Sequence, residues 1–397
     1  MSTAPQGHGA FRTKVANQHH RVTFVELVYD LVFVFAITQV SHSLVEHYSG
    51  VGAAQTLFLL LAVWWVWVYT SWAVNWLNPD HFAVRLTLFA MMLAGLMMSA
   101  SIPDAFAHRG LTFGLAYAAM QVGRAAVVCL IVPASSGGVQ RNFRRILIWL
   151  AFAGVFWIAG AFAQGETRVV LWIVALGLEI VGPLVRFWTP GLGASSLHDW
   201  NVEGGHMAER YGLFVIIALG ESILVTGATF AKEAMTPMSI SAFLVCFVGS
   251  IAMWWIYFDK GAELGARQLS TLEDPGALAR LGYTYLHLPI VGGIVLAAVS
   301  DDFVLAHPGT MADTAHAWAI VGGPALFLAG NMGFKRALRG WYQPSHLVGL
   351  VLLLFLFAAP MLGIPVSQIV LAALAALVLI MVSVWERLSL GAAADEA

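Results

Sequence analysis

The sequence predicts an all-α fold: a polytopic transmembrane helical bundle of about 12 spans, built as two parallel six-helix repeats. Three observations predict it. The chain is 397 residues long, 59% hydrophobic and only 11% charged, where a soluble domain averages about 25% charged residues. Apolar runs of spanning length recur from one end to the other, separated by turn-forming residues. Short segments of the first half also return in the second half in the same order.

In chain order, residues 1–22 form a polar tail with no apolar signal-peptide core, expected to stay in the cytoplasm. The first repeat, 23–190, holds spans near 24–46, 53–76, 83–102, 111–133, 146–164 and 168–187. Asn78-Pro79-Asp80, Pro133 and Pro190-Gly191 punctuate it, because proline and glycine end helices for definite steric reasons. A cytoplasmic linker, 191–206, leads to the second repeat, 207–387. Its spans lie near 207–230, 237–258, 281–300, 315–334, 345–361 and 364–385, with breaks at Asp274-Pro275-Gly276 and His307-Pro308-Gly309. His287 with Pro289 and Gly292-Gly293 marks an expected break or kink in the ninth span, and Pro324 after Gly322-Gly323 marks one in the tenth, unless both are ordinary bundle kinks. Residues 388–397 form a second cytoplasmic tail.

Lys and Arg sort to one side of this arrangement, and that bias sets orientation. Arg85, Arg141, Arg144, Arg145, Arg186, Lys335 and Arg336 fall on the side of both tails, against Arg109, Arg168 and Lys232 opposite. Both termini are therefore expected inside a multi-pass inner (plasma) membrane protein. The repeat rests on three matches: Tyr29–Gln39 with Tyr211–Glu221, Val63–Trp72 with Met253–Ala262, and Ala83–Leu86 with Leu278–Leu281.

Several functions are excluded or left open. The formal net charge of −2, without any basic tract, gives no grip on nucleic acid. The two cysteines, Cys129 and Cys246, form no CxxC. No Walker A, GxGxxG or GxSxG segment appears, which argues against an ATP-driven pump or a soluble-type hydrolase. The partners expected are the lipid bilayer and a small solute or ion. Cofactors and the oligomeric state are both left open by the sequence.

The chemistry concentrates in FVELVYDLVFVFAITQVSH, residues 24–42, where Glu26 and Asp30 stand near one end and Gln39 and His42 near the other. At i and i+4 the two carboxylates share a helix face. Asp30 lies about 13 Å into the span at the helical rise, where a charge facing lipid costs about 2.5–3.5 kcal/mol. It is expected to face the bundle interior, with Arg124 of the fourth span as a partner, while Glu26 suits either the interface or a pair with Arg21. The seventh span, HMAERYGLFVIIALGESILVTG, repeats the theme, with Glu209 and Arg210 at its start and Glu221 about 18 Å deeper. Asp30–His42 and Glu209–Glu221 have the same spacing. Either these groups line an ion, proton or solute pathway, or they are buried pairs that only fix packing.

The two segments resemble the signature segments of the bacterial low-temperature-requirement protein A (LtrA) family, and the likeness extends over essentially the whole chain. The resemblance implies a membrane protein linked to growth in the cold and carries over no enzymatic activity. Two alternatives to a transport pathway stay open. One is a membrane-embedded metal enzyme built on HDWNVEGGHMAE, with His198, His206 and Glu209 as ligands, His206 and Glu209 having the i, i+3 spacing of carboxylate–histidine metal sites. The other is a cold-adaptation membrane factor that transports nothing. The aromatic runs WWVWVYTSW and WWIY are expected to be packing and interface anchors.

Overall fold

A computed structural model gives the fold and describes residues 9–12, 21–133, 136–196, 203–259 and 279–395. Among the described residues the regular structure is helical, and β-bridges occur only as isolated pairs. Twelve helices are long and apolar enough to cross a membrane. The first six are α1 (Phe24–Glu46), α2 (Gly50–Val74), α3 (Phe82–Ala100), α4 (Gly110–Ile131), α5 (Gly138–Phe162) and α6 (Gly165–Leu184). Then come α7 (Gly204–Phe230), α8 (Pro237–Phe258) and α9 (His287–Ala306), the last entered through a π-helical stretch, Ala279–Tyr285. The tenth span is broken into α10 (Thr314–Ile320) and α11 (Gly322–Arg339), followed by α12 (Pro344–Met361) and α13 (Gln368–Asp395).

Side-chain chemistry fixes several of these ends. Thr23 and Glu26 make a reciprocal capping box at the start of α1: the Thr23 N–H donates to Glu26 Oε2 at 2.8 Å, and the Glu26 N–H donates back to Thr23 Oγ1 at 3.5 Å. Thr236 and Ser239 do the same for α8, with Pro237 at its first position. Asp313 caps α10 by accepting the His316 N–H at 2.8 Å. Gly340, at φ 81°, closes α11 in the left-handed conformation that glycine adopts without steric cost.

The chain divides into two compact units. One gathers residues 1–43 and 50–210, the other 44–49, 211–271 and 278–397, so the division falls inside α7 between Arg210 and Tyr211. The first unit packs α3, α4, α5 and α6 in sequential pairs, with α2 against α4 and α6. Its core is aromatic: Trp64, Trp65 and Trp67 of α2 are at most 1% exposed, and Tyr117, Trp157 and Trp172 are fully buried. In contrast, Trp254 and Trp255 of the second run are 44% and 38% exposed. The first run is therefore core, whereas the second is divided: its two tryptophans face outward as membrane-facing anchors do, while Ile256 and Tyr257 are buried.

In the second unit α9 lies directly against α11. A Cβ on Gly293 would stand 2.4 Å from the Phe327 amide nitrogen, and one on Gly323 would stand 2.8 Å from that of Ala297. Small residues allow this backbone contact, which is how helices associate where lipid competes for every apolar surface. The ninth span is interrupted at Leu286, between the π-helical entry and the start of α9 at His287, and from there through Pro289 and Gly292-Gly293 it runs as one α-helix. The expected break in the tenth span does occur, at Val321, next to Gly322-Gly323-Pro324. The fifth helix begins at Gly138, well before the apolar window that announced it. Its polar first turns are held by Arg145, which donates to the Leu192 carbonyl at 2.5 Å.

Candidate functional site

The buried carboxylates of α1 form the centre of a polar cluster in the first unit. Glu26 is 0% and Asp30 2% exposed. Arg210, in the first turns of α7 and equally buried, donates from Nη2 to Asp30 Oδ1 at 2.8 Å. Its Nη1 stands 3.7 Å from Glu26 Oε1. The indole N–H of Trp67 donates to the same Asp30 oxygen at 3.0 Å, and the guanidinium lies over the Trp67 ring.

A second cation comes from the N-terminal segment. Its backbone is paired with the end of α2, Arg12 N–H to the Trp76 carbonyl and Asn78 N–H to the Ala10 carbonyl, each 2.9 Å. That pairing places Arg12 Nη2 3.6 Å from Glu26 Oε2. Burial pulls the Arg12 guanidinium below its usual range, while the neighbouring Glu26 pulls the other way.

His206 completes the cluster, and its hydrogen bonds define its tautomer. The Glu203 N–H donates to Asn75 Oδ1 at 2.9 Å, which orients the amide so that Asn75 Nδ2 donates to His206 Nδ1 at 3.3 Å. His206 Nε2 then carries the proton and donates to Glu26 Oε1 at 2.9 Å. The imidazole is neutral, so Glu26 and Asp30 are balanced by Arg12 and Arg210. Balance is not full satisfaction, however. Among the described residues, Asp30 Oδ2, Arg12 Nη1 and both Nε and Nη1 of Arg210 are buried without a hydrogen-bond partner. Orphaned polar atoms at this burial call for water, an ion or a solute.

A second network lies nearby in the same unit. Glu179 of α6, 2% exposed, accepts from Tyr117 Oη at 2.7 Å, Gln121 Nε2 at 2.5 Å and Trp157 Nε1 at 2.9 Å. The Gln121 carbonyl oxygen accepts in turn from Arg124, which also donates to Thr70 Oγ1 at 3.0 Å and lies over the Tyr69 ring. Gln121 thus links a guanidinium to a carboxylate through its two amide ends. Arg124 belongs to this network: the expected Arg124–Asp30 pair does not form, because Arg210 occupies Asp30 and Gln121 holds Arg124.

The other sequence-selected residues separate as follows. Glu26, Asp30 and Arg210 meet as described, and the arginines paired with Glu26 are Arg12 and Arg210, where Arg21 was expected. Glu209 is half-buried and accepts the Val22 N–H at 3.1 Å. Gln39 is half-buried further along α1, and His42 is exposed. Glu221 is buried within the second unit and engaged with neighbours. His198 lies outside the described residues. Both nitrogens of His206 are spent on Asn75 and Glu26, which leaves no lone pair for a metal. Among the described residues no three His, Cys, Asp or Glu side chains gather as a metal site.

Several buried charged groups escaped the sequence reading, among them Arg12, Glu179, Asp301 and the Lys335–Glu386 pair at 2.6 Å. Arg12 sits in a polar tail with nothing to mark it. Glu179 is a lone acid in the apolar sixth span, the same signal that singled out Asp30. Asp301 of α9, also buried, follows directly on an apolar window ending at residue 300, whereas the helix runs on to Ala306.

Comparison with known proteins gives a consistent picture. The model of the family described as bacterial low temperature requirement A protein (LtrA) matches residues 21–384. An uncharacterized protein of Rhizobium meliloti (strain 1021) is 39% identical over 386 residues, covering 97% of this chain and 93% of its own. No solved structure matches.

Proposed function

The chain belongs to the bacterial low temperature requirement A protein (LtrA) family, and from that premise we propose that this polytopic helical membrane protein provides an ion- or solute-transport pathway lined by its intramembrane carboxylates. The observation that carries the reading is the incomplete satisfaction of the Asp30–Arg210 pair. A purely structural ion pair is worth its desolvation only when its remaining hydrogen-bonding atoms are also filled. Among the described residues, one oxygen of Asp30 and two nitrogens of Arg210 find no hydrogen-bond partner, as in a site that admits water or a polar guest. Glu221, the deeper acid of α7, is the second group assigned to the pathway, with Gln39, His42 and Glu209 as further lining. In this reading both termini face the cytoplasm and the membrane is the inner (plasma) membrane, supported by the sorting of Lys and Arg. The association with growth in the cold is carried by the family's name.

The competing reading is a membrane factor that transports nothing, favoured by one observation: the charges of Glu26, Asp30, Arg12 and Arg210 cancel. Reconstitution separates the two. Purified protein in proteoliposomes is assayed for flux across a panel of monovalent and divalent ions, protons and small polar solutes. The transport reading expects protein-dependent flux of at least one of these, lost in Glu221→Gln although that variant still elutes as a folded monodisperse species. Folded wild-type protein that moves none of the panel overturns it.

A further inference from the structure

The second unit holds a carboxylate whose surroundings differ in kind from those of Asp30 and Glu179. Asp301 is 8% exposed, and among the described residues no Lys, Arg or His pairs with it. Its Oδ2 accepts from Ser222 Oγ at 2.8 Å and from Thr226 Oγ1 at 3.1 Å. Ser222 Oγ lies 2.8 Å from Ser250 Oγ. Ser222 and Thr226 are i and i+4 on α7, so one helix face presents both hydroxyls to α9.

The type of donor decides what the site can do. Glu179 is held largely by indole and amide N–H groups, which can only donate and so suit one state, the anion. A hydroxyl has one hydrogen and two lone pairs and can turn round. The Asp301 cage can therefore donate to a bare carboxylate, or offer oxygen lone pairs together with the carboxylate to a bound cation. Space is available beside it: Asp301, Ser250, Ser300 and Cys246 form the polar part of the wall of a cavity of ≈ 40 Å³. A water-sized occupant needs about 10–15 Å³ measured in this way. Apolar residues of α8, α9, α10, α11 and α13 form the rest of the wall, and none of them is ionisable.

We propose that Asp301, with Ser222, Thr226 and Ser250, forms a binding site for one small monovalent cation. A single carboxylate faces the cavity, since Asp302 next to it is turned to the Thr229 hydroxyl at 2.7 Å. One negative charge neutralises one monovalent ion, whereas calcium calls for about 6–8 oxygen ligands, commonly several carboxylates among them. Hydroxyl and carboxylate oxygens are hard ligands suited to an alkali ion, and the one soft atom, Cys246 Sγ, does not make a transition-metal site alone. Binding at this site goes beyond the transport reading and is measured without flux, so the two stand or fall separately.

The test uses the full chain purified in detergent. Thermal unfolding and equilibrium binding of radioactive sodium are followed in sodium, lithium, potassium and choline chloride at equal ionic strength. The expected result is saturable sodium binding, a melting temperature that rises with sodium but not with choline, and loss of both responses in Asp301→Asn. Asp302→Asn keeps both. Should Asp301→Asn fail to fold, Thr226→Val carries the test: losing one ligand oxygen weakens sodium binding by about tenfold. A wild-type protein that melts identically in sodium and choline overturns the proposal. So does an Asp301→Asn or Thr226→Val protein with an undiminished sodium response.

Discussion

Replacing Arg210 by Gln tests whether the buried ion cluster holds the first unit together. The substitution removes the 2.8 Å bond to Asp30 and the 3.7 Å ion pair to Glu26, leaving two carboxylates, each at most 2% exposed, with Arg12 as their remaining cation. Breaking one side of a buried pair costs about 3–5 kcal/mol. In a unit of roughly 200 residues, where 1 kcal/mol shifts melting by about 2–4 °C, the expected drop is roughly 6–20 °C. Asp30→Asn alone leaves the opposite imbalance and is also expected to destabilise. The double variant Asp30→Asn/Arg210→Gln removes one charge of each sign, so it should recover part of the loss, with a coupling of about 0.5–3 kcal/mol. Thermal unfolding of all four proteins in detergent, followed by tryptophan fluorescence, measures the cycle, and Trp67 beneath the guanidinium is a local reporter. Arg210→Gln melting within about 2 °C of wild type, or a double variant as unstable as the sum of the singles, refutes the reasoning.

Glu179→Gln should cost about 1–3 kcal/mol, because a side-chain amide then faces the donors of Tyr117, Gln121 and Trp157 and leaves Arg124 uncompensated; melting and Trp157 fluorescence check it, and an unchanged Tm contradicts it. Gly293→Ala places a methyl against the Phe327 backbone, so α9 and α11 must separate, with an expected loss of about 1–3 kcal/mol read as lower yield of monodisperse protein and a lower Tm. Asp313 accepts the His316 N–H, which holds its carboxyl below the usual carboxylate range. Its contribution to α10 is therefore present above the ordinary Asp pKa and lost as pH falls through the lowered value. Hydrogen exchange at the His316 amide should accelerate over that acid range more than the intrinsic rate predicts, and Asp313→Ala should abolish the difference.

The number and order of spans were legible because spanning a bilayer imposes a length and a composition on every helix. Helix ends were less so: α5 and α9 extend beyond their apolar windows, since Arg145 and Asp301 find buried partners that hydropathy does not register. Asp30 was legible as an interior charge from its depth alone. Its partner was not. Arg210 and Arg124 were both arginines of the right polarity, and the choice between them depends on which helix face meets α1. Arg12 was illegible in principle, because a polar tail that folds back to pair with residues 76–78 carries no periodicity. The hydroxyl stripe of Ser222 and Thr226 was readable as spacing, but it gained meaning only when α9 placed Asp301 opposite.

The Asp30–Arg210 bond joins residues 180 positions apart, and that separation has a consequence for synthesis. At about 5–20 residues per second, Arg210 is made roughly 9–36 s after Asp30. During that interval α1 exists with both carboxylates and, of the two guanidiniums, only Arg12. Its insertion cannot be completed as an isolated event, since the charge that makes its interior face tolerable belongs to a helix begun half a chain later. The first span is thus expected to remain beside the insertion machinery, or at the interface, until α7 arrives. Ribosome-bound chains ending shortly before and shortly after Arg210 should differ in how readily α1 is extracted from the membrane by alkali.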